Sequence, residues 1–196
     1  INLDTREINP NHRTLNFVRI GTSGGLQDFL DVNSFVVSEK AIGFDGLLNF
    51  YANRNSVSDL AFEAAFCAHT KWNKQLTSPY VVDCSKKLFD KIHGAGTVAG
   101  VTISAPGFYG PQGRVLRLPL ADQLLNEKIE SFSYSGYRIT NFEMECSAIY
   151  GLSKLLGHEA LTVCLIIANR VKKDANAGYY RSIENLIELV LDRLTS

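Results

Sequence analysis

Six short runs rich in β-branched and aromatic residues alternate with five segments whose apolar residues recur at helical spacing, and that alternation limits the chain to an α/β architecture. Leu15–Ile20, Phe35–Ile42, Tyr80–Cys84, Thr97–Ala105, Tyr137–Phe142 and Leu161–Ala168 read as strands, the last being the most apolar. Glu39 and Lys40 interrupt the apolar character of the second. Asp59–Trp72, Lys86–Ile92, Asp122–Phe132, Cys146–Leu156 and Ser182–Leu194 read as helices. Ser56 or Ser58 is placed to cap the first of these, Ser182 the last, and Gly157 closes the fourth. No internal repeat, low-complexity stretch or linker divides the chain. The expectation is one domain over residues 1–196, a length sufficient for a single substantial core.

Twenty basic and twenty acidic residues cancel, so the overall balance points to neither nucleic acid nor an anionic membrane. Local charge can still hold a small anion. Cys67, Cys84, Cys146 and Cys164 form no CxxC pair, and His12, His69, His93 and His158 show no metal-ligand spacing. Reduced thiols are therefore expected, and no disulfide framework or zinc site. No apolar run reaches the roughly 20 residues that cross a bilayer, and INLDTREINP lacks the pattern of a signal peptide. A cytoplasmic location is the expectation. The first residue is Ile rather than Met, so further sequence is expected upstream.

Four segments have the residue types for chemistry. In Arg19–Ile20–Gly21–Thr22–Ser23–Gly24–Gly25, a glycine-rich turn after a strand would let backbone amides converge on an anion, with two hydroxyls and a guanidinium beside them. The alternative is a tight structural turn, and the absence of GxxxxGK[ST] excludes an ATPase-type loop. The loop from Gly107 to Arg114 brings Phe108, Tyr109, Gln112 and Arg114 together. An amide beside a guanidinium can read the edge of a heterocycle and Phe108 can stack on its face, unless the aromatics simply pack downward. Asn141–Phe142–Glu143–Met144–Glu145 falls at a strand-to-helix junction, where a carboxylate can accept from a vicinal diol or merely favour the helix start. Ala168–Asn169–Arg170 ends the last strand on what should be the same functional edge.

Taken in chain order, FVRIGTSGGL, GFYGPQGR, FEMECSAIYGL and the strand ending in IANR resemble the nucleoside phosphorylase family, and within it the uridine phosphorylases. The resemblance runs over essentially the whole chain. It implies a single three-layer domain, with a central mixed β-sheet flanked by helices. It also implies phosphorolysis of a pyrimidine nucleoside such as uridine to the free base and ribose 1-phosphate, with inorganic phosphate as co-substrate and no metal, flavin or nicotinamide. By that resemblance Arg19 and Thr22 bind phosphate, with Thr22 also near the ribose. Glu145 and Met144 hold the sugar and Glu143 supports them. Gln112 and Arg114 read the base edge beside Phe108, Gly24 lets the base approach the backbone, and Arg170 stands behind the base-reading pair. Arg19, Arg114 and Glu145 are the expected catalytic residues. The purine-specific relatives carry an aspartate near Asn169 that protonates the leaving base; an amide cannot, so a pyrimidine is favoured.

Family members are longer at the amino end, where they carry a further phosphate-site arginine and groups that complete a neighbouring subunit's site. The resemblance therefore also implies an incomplete amino end here and a homo-oligomer, a hexamer built of dimers. The rival readings are a purine nucleoside phosphorylase or nucleosidase of the same fold, and a non-catalytic nucleoside-binding module.

Overall fold

In the computed structural model, which describes all residues from Ile1 to Ser196, the first apolar run does not stop at the glycines that follow it. Strand β1 (Asn16–Gly25) continues through all of them, parallel to β7 (Glu159–Asn169) from Asn16 opposite Glu159 to Gly25 opposite Asn169. One bulge, between Ser23 and Gly24, breaks the register. The expected glycine-rich turn is thus extended strand. The apolar run of β7 provides a long partner, and Gly21, Gly24 and Gly25 all keep negative φ.

The other strands are β2 (Phe35–Gly43), β3 (Tyr80–Asp83), β4 (Thr97–Ser104), β5 (Ser133–Tyr134), β6 (Tyr137–Glu143) and β8 (Asp174–Ala175). The helices are α1 (Leu60–Thr70), α2 (Lys86–Ile92), α3 (Leu125–Ser131), α4 (Cys146–Leu155) and α5 (Tyr180–Thr195). The sheet is mixed, in the order β3-β2-β4-β6-β1-β7-β8, with helices flanking it. A further antiparallel pairing joins β2 to β7, with Phe35 opposite Leu165 and Val37 opposite Val163. The strands β2, β4, β6, β1 and β7 therefore close into a ring. Within it β2, β4 and β6 run one way, and β1 and β7 the other. The antiparallel seam between β1 and β6 is short, Gly24 pairing Phe142 and Gly25 pairing Asn141. Continued along the same register, β6 ends at Glu143 beside Ser23, near the carboxyl end of β1.

Several local features depart from the sequence pattern for identifiable reasons. Strands β5 and β8, two residues each, are too short to show periodicity. The β5–β6 hairpin turns on Ser135 and Gly136, both with positive φ, so its Ser-Gly pair was the readable signal. Helix α1 is capped by Asp59, whose Oδ1 accepts from Phe62 N at 3.0 Å, rather than by a serine; Ser58 is held extended in a bridge with Val82. Ser182 lies inside α5 and donates to Asn33 Oδ1 instead of capping. The charged interruption of β2 sits at a bulge, where buried Lys40 reaches Asp59 at 2.9 Å and Asp83 at 2.5 Å. No helix is long and apolar enough to cross a membrane.

Two apolar clusters anchor the helices. One joins α2, α4 and α5 to the sheet through residues such as Tyr80, Leu88, Tyr150, Leu161, Val163 and Leu186, and the other joins α1 and α3 through Phe62, Phe66, Ile103, Ile129, Phe132 and Phe142. Tyr150 has a second task. Its hydroxyl donates to Ser38 O at 2.6 Å and accepts from Thr162 N at 2.8 Å, one residue beyond the last β2–β7 pair. It bridges the two strands where their ladder ends. Tyr150→Phe leaves a buried carbonyl and a buried amide without partners, so a urea titration is expected to show about 2 kcal/mol lost with an unchanged m-value. A loss below about 0.5 kcal/mol would mean the ring closure does not depend on this hydroxyl.

Candidate active site at the β1–β6 seam

Glu143, the last residue of β6, is buried with nearly all its carboxylate surface covered. Oε1 accepts from Ser104 Oγ, at the end of β4, at 2.5 Å. Oε2 accepts from the amides of Glu145 at 3.0 Å and Cys146 at 2.9 Å, so the side chain caps the start of α4. The same oxygen lies 3.2 Å from Arg19 Nη1, and Arg19 Nη2 pairs with Glu145. Burial pushes the Glu143 carboxyl above its ordinary value; the serine hydroxyl, the two amides and the Arg19 charge oppose that shift. Burial also works against the Arg19 charge, but a hydrogen bond to the Cys164 sulfur and the carboxylates of Glu143 and Glu145 outweigh it, and the guanidinium is held more firmly protonated than usual. The Cys164 thiol, 3.6 Å from Arg19 Nη1, is pushed up to about 12 by burial and is neutral at ordinary pH.

Gly21 explains how Arg19 takes this pose. A Cβ at that position would meet the Arg19 guanidinium at 2.7 to 2.9 Å, so the bare backbone is the surface on which the arginine lies. The glycine run serves close approach rather than a turn. A Cβ on Gly24 would find nothing nearer than the Ala168 carbonyl at 4.0 Å, which leaves open space above it. Thr22 makes no side-chain hydrogen bond and takes no part in the Arg19 cluster. Met144 is half exposed, as is Glu145 beyond its pairing with Arg19.

The second group forms around Gln112, which is buried. Its Oε1 accepts from Arg114 Nη1 at 2.6 Å and from Arg170 Nη2 at 2.9 Å, while its backbone carbonyl accepts from Arg170 Nη1. With the oxygen occupied twice, the amide nitrogen is the group left to bond a ligand. Arg114 also donates to Phe108 O at 2.5 Å and stacks 3.7 Å above the Phe108 ring. Phe108 is half exposed, so the aromatic does not pack downward. Burial, with Arg114 close by, pushes Arg170 down to about 10, which still leaves it cationic at neutral pH. A cleft of about 700 Å³ lined by Trp72, Leu76, Tyr109, Arg114, Leu116 and Leu118 adjoins this loop; Arg19, Glu143 and Glu145 lie outside it.

Phe142 links the two groups. Arg170 lies 4.9 Å over its ring, its neighbour is Glu143, and its strand partner is Gly24. The site therefore follows the β1–β6 seam. It does not lie on one shared edge of strand ends, because β1 and β7 run opposite to β4 and β6.

Asn169 is the residue whose expected place the structure corrects. It is buried, Nδ2 donates to Gln27 O at 2.8 Å and Leu30 O at 2.6 Å, and Oδ1 accepts from Val171 N and Lys172 N. Four backbone partners exhaust the amide, so it does not face a base. Ser104 escaped sequence reasoning; the signal available was a hydroxyl at a strand's carboxyl end.

A sequence profile of the phosphorylase superfamily matches residues 12–195. The chain is similar to a uridine phosphorylase of Thermococcus kodakarensis, 24% identical over 160 residues that cover 81% of this chain and 50% of the relative. It is also similar to uridine phosphorylase A of Schistosoma mansoni, 30% identical over 161 residues covering 81% and 49%, and purine nucleoside phosphorylases match as well. Among solved structures, a Trypanosoma brucei nucleoside phosphorylase that shows uridine phosphorylase activity superimposes with a TM-score of 0.79 at 24% identity, covering 92% of this chain and 63% of that one. The chain spans about half the length of the curated relatives it matches. With a profile match reaching from before β1 to the end of α5, and a fold shared with a nucleoside phosphorylase, these 196 residues belong to the phosphorylase superfamily.

Proposed function

We propose that the protein is a cytoplasmic uridine phosphorylase of pyrimidine salvage, acting as a homo-oligomer whose full-length chain completes the phosphate site. The observation that carries this reading is the pairing of a guanidinium laid on Gly21, next to the diol-binding type of carboxylate Glu145, with a donor-rich, aromatic-backed group at Gln112 and Arg114. Arg19 holds phosphate, with the Thr22 hydroxyl as a further donor. Glu145 and Met144 hold the ribose. Gln112 Nε2 and Arg114 face the carbonyl oxygens of uracil over Phe108, and Arg170 fixes the Gln112 amide from behind.

Arg19 is paired with Glu145. Ribose hydroxyls offer Glu145 donors of their own and draw it off, which frees Arg19 for the anion. A phosphate oxygen then bonds to C1′ as the C1′–N1 bond breaks, and the electron pair leaves with uracil, which takes its proton from solvent. Charge growing on the base faces donors fixed in advance, while phosphate and nucleoside are held together. Phosphate is a co-substrate and the scheme calls on no cofactor.

A purine-specific enzyme of this family is the second reading, since the Asn169 amide is spent on backbone and does not discriminate between bases.

Free-base release by the full-length protein is expected to require inorganic phosphate, to proceed with uridine and to fail with inosine. Arg19→Ala is expected to lower it by about 100- to 1000-fold, as for loss of one preorganised donor. Release without phosphate would make the enzyme a hydrolase, and release from inosine would favour the purine reading. Asn169→Asp sets a carboxylate against the Gln27 and Leu30 carbonyls, so it is expected to cost about 3 kcal/mol of stability at neutral pH. The penalty shrinks at acid pH, where the carboxyl regains a proton to donate, and base preference stays as it was. A stable variant with a new taste for purines would show that this side chain does face the base.

A further inference from the structure

Behind the site a continuous hydrogen-bonded chain runs through the core and ends on Glu143. Asp45, just after β2, accepts from Tyr80 Oη at 3.0 Å and from Ser147 Oγ at 3.1 Å. The Tyr80 and Ser147 hydroxyls lie 2.9 Å apart, and Asp45 Oδ1 also accepts from Leu47 N at 2.7 Å. Ser147, in the first turn of α4, donates its amide to Ser104 Oγ at 2.8 Å, and Ser104 Oγ donates to Glu143 Oε1 at 2.5 Å. Tyr80, Ser147, Ser104 and Glu143 are all buried.

The directions of these bonds matter. A serine hydroxyl has one hydrogen, and the Ser147 amide occupies the Ser104 oxygen as donor, so the Ser104 hydrogen is left for Glu143 alone. The Ser147 amide is in turn held in place because its own hydroxyl donates to Asp45, beside the Tyr80 hydroxyl. Glu143, once oriented, leaves Oε2 for Arg19 and for the amides that begin α4, next to Met144 and Glu145. A network that touches no substrate atom thereby fixes both the arginine and the start of the helix.

We propose that Ser104, backed by Ser147, Tyr80 and Asp45, is a positioning residue: it sets the orientation of Glu143 and through it the phosphate-binding pose of Arg19. The proposal rests on the phosphorylase reading of the site. It also explains why polar groups persist in an apolar cluster, since Tyr80 otherwise packs with Val82, Leu161 and Val163. A buried polar network that is fully satisfied holds a geometry that apolar packing would leave looser.

The test measures steady-state kinetics of the full-length protein against phosphate and against uridine, over pH, for Ser104→Ala and Ser104→Thr. Ser104→Ala is expected to raise KM for phosphate or lower kcat/KM for phosphate by about tenfold, the effect of one lost hydrogen bond to a charged group, with KM for uridine changed far less. The groups facing Glu143 are Arg19 from β1, Ser104 from β4, Glu145 and Cys146 at the start of α4, and Cys164 from β7. With Ser104 gone, a donor that favours the ionised carboxylate is lost, so the acid limb of the phosphate profile moves to higher pH. Ser104→Thr keeps the hydroxyl and is expected to restore both. If Ser104→Ala does not fold, Tyr80→Phe reads the same chain from its far end, with about a threefold loss in the same parameter. Unchanged kcat/KM for phosphate and an unmoved acid limb, in Ser104→Ala or in Tyr80→Phe, would overturn the proposal. A wild-type protein without phosphorolysis would instead overturn the reading on which it rests.

Discussion

Everything at the seam depends on one buried carboxylate keeping all of its bonding partners. Glu143 has lost almost all contact with water, and only a hydroxyl, two amides and a guanidinium replace it. The four donors come from three elements: Ser104 from β4, Arg19 from β1, and the two amides from the start of α4. The desolvation cost of a buried charge is offset only while all of them are in place. That requirement joins three parts of the fold at one point and leaves the Arg19 guanidinium little freedom. It also explains a bare backbone at Gly21, since any side chain there would lift the arginine off the strand.

The ring of strands makes this convergence possible. In an open sheet with all strands parallel, ends meet ends. Here β6 stops beside Ser23 of the antiparallel β1, and the long side chain of Arg19, four residues back along that strand, reaches Glu143 at the end of β6. The same register places Phe142 beside Gly24 and under Arg170, which carries the seam onward to the Gln112 loop. Two groups of different chemistry, one suited to an anion and a diol, the other to a heterocycle edge, are thereby held by a single Phe-Glu dipeptide.

The architecture was readable in the chain wherever periodicity was long enough. Helix α2 matches its predicted span, and the other long strands and helices fall within a few residues of theirs, apart from β1, which runs five residues past Ile20 to Gly25. Elements of two residues, β5 and β8, carry no period and were missed. The glycines after Ile20 misled for a physical reason: glycine permits a turn and also permits close approach, and only the partner strand β7 decides between them. Arg19, Glu143, Glu145, Gln112, Arg114 and Arg170 could be singled out from their residue types and the family resemblance, and the structure brings them into two neighbouring groups. Asn169 could not be judged, because one residue's rotation at the end of a strand decides whether an amide faces a ligand or its own backbone. Ser104 was passed over for a similar reason, since a hydroxyl at a strand's carboxyl end is a weak signal until its acceptor is known.

The most direct test of this account is calorimetric titration of the full-length protein with inorganic phosphate, in the presence and absence of a non-cleavable uridine analogue with both ribose hydroxyls. If Glu145 occupies Arg19 until a diol draws it away, phosphate binds more tightly with the analogue present, and Glu145→Gln binds phosphate as tightly without it. Equal phosphate affinity in all three cases would contradict the claim that Arg19 is the phosphate anchor and that Glu145 guards it.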